Sequence, residues 1–138
     1  LALNAINDAP LSAGEPEYAW TPTLIRNQEA AIARRGLQLR VTVAVDGTGT
    51  VVGFSTLRVA AEPGAIGRTE DTAVVAAHRG RGLATSIKSE AVRLLAADRP
   101  DVTTVTTTND VGNTAMLAVN RRLGFVPVST WTAAAVDV

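Results

Sequence analysis

The 138-residue sequence predicts one domain of the α/β (α+β) class, with a mixed, mostly antiparallel twisted sheet and flanking helices. Residues 37–46 and 51–60 predict a β-hairpin, because their apolar residues alternate around a glycine-containing turn at residues 46–49. Residues 72–107 then run strand, helix, strand, which implies a parallel pair with a right-handed crossover.

The first helix is predicted to begin at Thr21-Pro22, because Thr caps helices and Pro suits the first helical position. Gly36 is expected to end it. Residues 1–20, which contain scattered prolines and a glycine, predict a short helix and then a loop.

A short strand over residues 72–76 is apolar almost throughout, as expected for a strand buried on both faces. A helix from Gly82 to Ala97 follows, with Lys88 and Arg93 predicted on its outer face. Its predicted buried face consists of Leu83, Ile87, Ala91 and Leu94.

The last part of the chain predicts three more elements. Residues 102–107 are β-branched and indicate a strand. Residues 113–122 indicate a helix, and residues 125–138 indicate one or two final strands. The side chains that this last helix is expected to bury are Met116, Val119 and Leu123.

Composition excludes several kinds of protein. The 13 basic and 13 acidic residues cancel, which argues against broad electrostatic capture of nucleic acid or of an anionic membrane. The absence of cysteine excludes disulfides, thiolate metal sites and a cysteine nucleophile. No apolar run has the roughly 20 residues of a membrane span, and no signal peptide is visible, so a cytoplasmic protein is expected.

The segment after the short strand carries the clearest chemical signal. A strand leads into a turn with Gly80 and Gly82, which opens an amphipathic helix. The first N–H groups of a helix have no internal partner, and the helix dipole favours negative charge beside them. Arg79 and Arg81 add positive charge, so the segment predicts a phosphate site. The alternative is a glycine turn with two solvated arginines.

Two other phosphate motifs do not fit this segment. A Walker loop requires Gly-Lys-Ser/Thr, which is absent, and a dinucleotide fingerprint requires a third glycine where Thr85 stands. Arg79, Gly82 and Ala84 instead match Arg/Gln-x-x-Gly-x-Gly/Ala, the motif of the GNAT family of N-acetyltransferases, which the chain resembles. Val74 and Ala76 upstream also fit.

A second match lies about 30 residues downstream, in the order that the family has. It consists of Asn109, Asn113, Ala115 and Leu123-Gly124-Phe125. The resemblance covers residues 20–138 loosely and is greatest to actinobacterial-type proteins with two such domains in tandem. It implies one GNAT-like domain over residues 1–138 with a central splayed parallel pair of strands.

The resemblance also implies acetyl-coenzyme A as cosubstrate. Backbone groups of Ala73, Val74 and Val75 would pair with the pantetheine arm, and Asn113 would hydrogen-bond near the end of that arm, although a helix cap is an equal alternative for Asn113. Asn109 is expected to be a turn residue. The pyrophosphate would be held by the N–H groups of Arg79, Gly80, Arg81, Gly82, Leu83, Ala84 and Thr85.

The expected reaction is direct attack of a primary amine of a small molecule on the thioester. An alkylammonium with a pKa near ~10 must first lose a proton, so a base or a water relay is required. Glu70 and Asp71 precede the short strand, and strand alternation predicts that only one of them faces the cleft. Asp71 is preferred, with a solvated acid as the alternative, and a backbone N–H near Val75 is expected to stabilise the oxyanion.

Two departures from the family set the competing hypothesis. Asn120 stands where the family often has the tyrosine that protonates the leaving thiolate, and asparagine cannot act as a general acid. The chain also begins at Leu1 without the usual first strand, which predicts a fragment. The competing hypothesis is therefore a catalytically inactive, coenzyme-binding half of a tandem protein. The expected partners are a small-molecule amine and a second GNAT domain or a homodimer.

Three further features of the sequence bear on its function. The loop with Glu15, Glu17, Tyr18 and Trp20 hints at a cationic acceptor, and a solvated loop is the alternative. His78, the only histidine, has no second strong ligand nearby, so no metal site is expected. A nucleic-acid-binding module is disfavoured by the zero net charge.

Overall fold

The computed structural model describes residue 5 and residues 19–132 of the chain. In this part the chain forms three α-helices and four strands, with a short 3₁₀ helix at Ala76–His78. The helices are α1 (Pro22–Arg34), α2 (Leu83–Asp98) and α3 (Thr114–Arg122), and the strands are β1 (Leu37–Val45), β2 (Val51–Ala60), β3 (Gly67–Val74) and β4 (Val105–Thr107). None of the helices in the described ranges is long and apolar enough to cross a membrane.

The sheet has the strand order β1-β2-β3-β4. Strand β2 pairs antiparallel with both β1 and β3, and β3 pairs parallel with β4. This arrangement confirms the predicted α/β class, the mixed and mostly antiparallel sheet, and the early hairpin.

The parallel pair is short and opens at one end. Gly67 to Thr69 of β3 pair with Val105 to Thr107 of β4, and β4 ends there. Strand β3 continues to Val74 and pairs with β2 alone over this second half. The two strands therefore diverge beyond Thr69, which is the splayed parallel pair that the resemblance implied.

Local chemistry accounts for the first helix and the hairpin. Thr21 Oγ1 accepts the Leu24 N–H at 3.2 Å, and Pro22 occupies the first helical turn, as predicted. One carboxylate oxygen of Asp46 accepts the N–H groups of Thr48 and Thr50 at 2.8 and 3.0 Å. These bonds close the turn between β1 and β2. The Thr48 hydroxyl, which donates to the same oxygen at 2.6 Å, lowers the pKa of Asp46 most, and the two N–H groups add to this effect.

The main core lies between α2 and the sheet. Leu57 and Val59 of β2 pack there against Leu95 of α2 and against Val102. The helix comes so close to the sheet that a Cβ at Gly67 would lie 2.9 Å from Leu95 Cδ2. Any larger residue at that position of the strand would therefore have to displace the Leu95 side chain.

Two predictions about α2 were wrong. Leu94 is 39% exposed, and Leu95 takes its place in the core. Lys88, which was predicted on the outer face, is only 1% exposed. Lys88 precedes Leu95 by seven residues and so lies on the same stripe of the helix, which its polarity concealed. Arg93 is exposed, as predicted.

Several strand limits also differ from the predictions. Strand β3 begins at Gly67 rather than at residue 72, and β4 covers only Val105–Thr107 rather than residues 102–107. Residues 125–132 contain no strand, so that part of the predicted C-terminal strands is wrong. Residues 133–138, and most of the region predicted as a short helix and loop before Trp20, lie outside the described residues.

An arginine clamp joins the end of α2 to the end of β2. Two nitrogens of Arg99 donate to both carboxylate oxygens of Asp101, at 2.9 and 2.7 Å. The same guanidinium donates to the carbonyls of Ala60 at 3.1 Å and Glu62 at 2.9 Å. Arg99 holds the pKa of Asp101 far below its usual range, which is consistent with this bidentate bond.

Candidate active site

The predicted phosphate segment forms an open backbone loop between β3 and α2. Gly80 and Gly82 adopt positive φ angles of 74° and 77°, which favour glycine. A Cβ at either position would meet nothing within 4 Å. The loop therefore leaves its backbone accessible to a ligand.

The N-terminus of α2 has no side-chain cap. Gly82 is its N-cap residue, and the first helical hydrogen bond runs from the Ser86 N–H to the Gly82 carbonyl at 3.1 Å. The N–H groups of Leu83, Ala84 and Thr85 thus have no partner inside the helix. With the positive end of the helix dipole, they make this end suitable for an anion such as a phosphate.

The loop and the first turn of α2, residues 79–85, together form a cradle that is joined to the end of β3. Arg79 Nε donates to the Val74 carbonyl at 2.8 Å, which ties the loop to the last residue of the strand. Arg81 is exposed. The two arginines that the sequence predicts beside the phosphate site therefore belong to this loop, and Arg79 is bound to the strand.

The backbone of β3 corrects one prediction. The Val75 N–H donates to the Val52 carbonyl of β2 at 2.9 Å, so it is not available to an oxyanion or to a ligand arm. Since backbone groups of a strand point to alternate edges, those of Ala73 also point toward β2, whereas those of Val74 point toward the open edge beside β4. The Val74 carbonyl is the one that Arg79 caps.

A cavity of about 380 Å³ lies between α1 and the sheet face opposite α2. Its walls are mostly apolar, and three acids and one arginine reach it. The apolar lining consists of Trp20, Ile25, Ile32, Leu39, Val41, Val43, Val51 and Phe54, and the charged lining consists of Glu29, Arg58, Glu70 and Asp71.

Both predicted base candidates line this cavity, contrary to the expectation from strand alternation. The register of β2 and β3 shifts between Ser55 and Leu57, so that Thr56 stands opposite both Glu70 and Asp71. A bulge of this kind interrupts alternation and turns side chains toward a site. The two acids also lie within β3 rather than at its start, because the strand begins at Gly67.

The two acids differ in their surroundings. Glu70 forms an ion pair with Arg58 and lies 3.8 Å from Arg68 Nε. The Asp71 carboxyl lies at the mostly apolar cavity, and its partial removal from solvent there raises its pKa, against the opposing influence of Arg58. Its N–H donates to Thr56 Oγ1 at 3.0 Å, which holds the bulge.

The asparagines near α3 also differ from one another. Asn113 is the N-cap of α3, where its Oδ1 accepts the Met116 N–H at 3.1 Å, so the helix-cap interpretation is confirmed. Asn120 is buried, and its Nδ2 donates to Asn109 Oδ1 at 2.5 Å. Asn109, expected as a plain turn residue, is therefore a partner of Asn120.

Lys88 is the polar residue that the sequence reasoning missed. Its Nζ donates to Asn120 Oδ1 at 2.6 Å and to Thr107 Oγ1 at 3.3 Å, and it lies 5.0 Å from the centre of the Phe125 ring. Burial lowers the pKa of Lys88 to about 8. Its helical spacing to Ala91 and Leu95 is the signal by which the sequence alone could have found it.

Other predicted site residues lie elsewhere. His78 ends the 3₁₀ helix, and no group of metal-ligating side chains occurs in the described ranges. Trp20 lines the cavity, in agreement with a role near an acceptor, whereas Glu15, Glu17 and Tyr18 lie outside the described residues.

Comparison with known proteins gives one family. The model of the acetyltransferase (GNAT) family matches residues 4–125. A search of curated protein sequences found no significant match. Among solved structures, a tandem GNAT protein from the clavulanic acid biosynthesis pathway matches with a TM-score of 0.71 and 32% identity over 76% of this chain. The chain spans 33% of the length of that protein.

Two more distant structures match the fold over nearly the whole chain. An acetyltransferase from Trypanosoma brucei has a TM-score of 0.65 and 20% identity, with 97% of this chain and 89% of its own covered. An aminoglycoside 6′-N-acetyltransferase from Acinetobacter haemolyticus has a TM-score of 0.65 and 17% identity, with coverages of 99% and 90%. At these identities the likeness concerns the fold.

Proposed function

The chain belongs to the GNAT acetyltransferase family, and we propose that it is an acetyl-coenzyme A-dependent N-acetyltransferase acting by direct attack of a primary amine of a small molecule. The observation that carries the proposal is that a single strand, β3, serves both sites. Its end leads into the open cradle, and Asp71, three residues before that end, lines the cavity. A cosubstrate held by the cradle along β3 would bring its reactive end toward this cavity.

The cradle residues fit the pyrophosphate of coenzyme A. The uncapped N–H groups of α2 and the two positive-φ glycines supply donors and space. Val74 directs its backbone groups to the open edge of β3. Arg79 already occupies its carbonyl, so its N–H is our choice for the oxyanion donor first expected near Val75. The amide nitrogen of Asn113 is the part of that side chain left for a contact with the pantetheine arm.

The cavity fits a cationic amine with an apolar body. Three acids and one arginine reach it, so its charged lining is acidic in sum, and its remaining walls are mostly apolar. Glu70, which pairs with Arg58, would attract the ammonium group. Asp71 would take the proton, directly or through a water, because its pKa is raised.

The competing proposal is a coenzyme-binding half of a tandem protein that lacks activity of its own. Two observations favour it. The amide of Asn120 cannot donate a proton to sulfur as a tyrosine does. The chain also spans only 33% of the tandem GNAT protein that it resembles. Under this proposal, a second GNAT domain would carry out the transfer.

Calorimetry with acetyl-coenzyme A tests the proposed cradle. Gly82→Ala should weaken binding at least tenfold, because the new methyl group stands in the space where the pyrophosphate would lie. Gly36→Ala is the matched control, since Gly36 has a φ of 71° and equally open surroundings but lies at the end of α1. Equal affinities of both variants, or no binding by the unmodified chain at millimolar ligand, would refute the cradle.

Coenzyme A release with a panel of amines separates the two proposals. Release that depends on an amine supports an enzyme, and binding without release supports the inactive half. Apolar diamines should be better acceptors than amino acids, because a carboxylate in the acceptor would face the acidic lining of the cavity.

A further inference from the structure

Lys88 is a buried cation that the proposed reaction has not yet used. It lies in the second turn of α2, and its side chain is enclosed between β4 and α3 with 1% of its surface exposed. Its contacts are Asn120, Thr107 and the face of the Phe125 ring. From β4, from α3 and from the turn after it, the groups that face the ammonium are thus uncharged.

An enclosed ammonium without a carboxylate is unusual in a protein interior. Buried charges are ordinarily paired, because an unpaired one loses its hydration without compensation. No ion pair of Lys88 is recorded among residues 19–132, and burial is the cause that lowers its pKa to about 8. The group therefore gives up its proton far more readily than an ordinary lysine.

The choice of residue is informative as well. The sequence has 13 basic residues, and Lys88 is its only lysine. Arginine stays charged at every accessible pH, whereas the pKa of a buried lysine falls readily and allows acid–base chemistry. A chain that uses arginine everywhere else has its one lysine at an enclosed position.

The position of Lys88 relates it to the open pair of strands. Thr107 is the last residue of β4, and it pairs with Thr69 immediately before β3 and β4 diverge. The Lys88 Nζ, 3.3 Å from Thr107 Oγ1, thus lies beside the gap that begins where the pairing of β3 and β4 ends. A pantetheine arm along the open edge of β3 would enter this gap.

We propose that Lys88 donates the proton that the sulfur of coenzyme A takes up when the thioester breaks. This inference rests on the proposed function. As the amine nitrogen forms its bond to the acetyl carbon, the carbon–sulfur bond breaks and its electron pair goes to sulfur. A proton from Nζ then converts sulfur to the thiol. Neutral Lys88 regains a proton from water after the products leave. The ammonium loses two protons in all, one before the attack and one as the amide forms, and both pass through Asp71 to water.

Asn120 acts in this scheme as a positioning residue. Its Nδ2 donates to Asn109 Oδ1 at 2.5 Å, which orients the amide so that Oδ1 faces the ammonium of Lys88 at 2.6 Å. Asn120 therefore positions the general acid, which is Lys88.

Nitrogen-15 NMR of lysine-labelled protein tests this inference without measuring activity. Because Lys88 is the only lysine, it gives a single side-chain signal, whose titration reports its own proton. A thiolate beside the ammonium should raise the Lys88 pKa in the coenzyme A complex by about one unit or more over the complex with desulfo-coenzyme A, in which hydrogen replaces the thiol group. Equal titration in the two complexes would overturn the inference. Failure of both ligands to bind would instead refute the proposed function.

Kinetics of two variants give an independent test in a chain that turns over. Lys88→Met and Lys88→Arg should both lower kcat by about 100-fold, a common contribution of a general acid, with the KM for acetyl-coenzyme A changed less than threefold. The decline of kcat above pH 8 in the unmodified chain should disappear in both variants. Arg93→Met, an exposed change on the same helix, is the control. Retention of that decline in Lys88→Arg would overturn the role. If Lys88→Met does not fold, the NMR titration decides.

Discussion

The burial of Lys88 predicts an unusual dependence of stability on pH. Its pKa falls from the ordinary 10.5 to about 8 in the folded chain. At about 1.4 kcal/mol per pH unit, this corresponds to a cost of about 3 kcal/mol for keeping the side chain charged in the folded state. The side chain is 1% exposed, so solvent screening reduces this cost little.

The sign of the effect follows from proton binding. Below pH 8 the lysine is charged in both states, and the folded state carries the whole cost. Between about pH 8 and 10.5 the unfolded chain holds a proton that the folded chain has lost. The free energy of unfolding therefore rises with pH over this interval, by up to about 3 kcal/mol in all.

Lys88→Met removes the charge while keeping an unbranched side chain of similar length. At pH 7 the variant avoids the cost of the buried charge but leaves Asn120 Oδ1 and Thr107 Oγ1 without their donor, which costs about 1–3 kcal/mol. We therefore expect its stability at pH 7 to equal that of the unmodified chain or exceed it by about 1–2 kcal/mol. By pH 10 the variant should be the less stable of the two.

Urea denaturation between pH 6.5 and 10 measures both curves. The useful quantity is the free energy of unfolding of the unmodified chain minus that of the variant, because the titration of groups common to both chains cancels in it. A difference that stays constant across the interval would refute the reasoning, since it would mean that Lys88 has the same pKa folded and unfolded. An advantage of the unmodified chain over the variant that increases as the pH falls would also contradict it, because the Lys88 pKa would then be raised in the folded state.

Three further predictions follow from the described contacts. Leu57→Ala should lower the free energy of unfolding by about 2–5 kcal/mol, because this side chain is fully buried, whereas Leu94→Ala should lower it by less than about 1 kcal/mol in the same denaturant titration. Arg99→Ala should lower the thermal midpoint clearly more than Arg93→Ala, since only Arg99 bonds two backbone carbonyls of the neighbouring loop. Asp71→Asn should lower kcat by about 100-fold and remove the decrease of activity toward acid pH. In the unmodified chain this decrease should occur at a higher pH than for an ordinary aspartate, because the pKa of Asp71 is raised. An unchanged decrease at acid pH in the variant would exclude Asp71 as the base.

The sequence was sufficient for the elements that depend on local chemistry. Thr21 and Pro22 begin α1 as predicted, and the Asp46 turn closes the hairpin, because caps and turns are set by a few adjacent residues. The cradle is equally local, since a strand, two glycines and a helix start are consecutive in the chain. The parallel pair was predictable as well, because the crossover rule concerns connections rather than contacts.

The errors lie where contacts between distant residues decide. Alternation along β3 separates Glu70 from Asp71, but the bulge opposite Thr56 brings both to one cavity, and a bulge is a property of the pair of strands. The sequence predicts an exposed Lys88 side chain, because lysines are rarely buried. Its burial depends on Asn120, 32 residues further along the chain, which supplies the acceptor that compensates the ammonium.

Asn120 has a different meaning in the structure from its meaning in the sequence. Read alone, it marks the loss of a tyrosine and favours an inactive domain. In the folded chain it is half of a buried pair, and the other half is an ammonium whose lowered pKa suits proton donation. An inactive domain has no need to retain an unneutralised charge in its interior, because an apolar side chain there would be more stable below pH 8. The buried pair therefore favours the enzyme over the inactive half, and the stability of Lys88→Met at pH 7 measures how much free energy of folding is spent on retaining it.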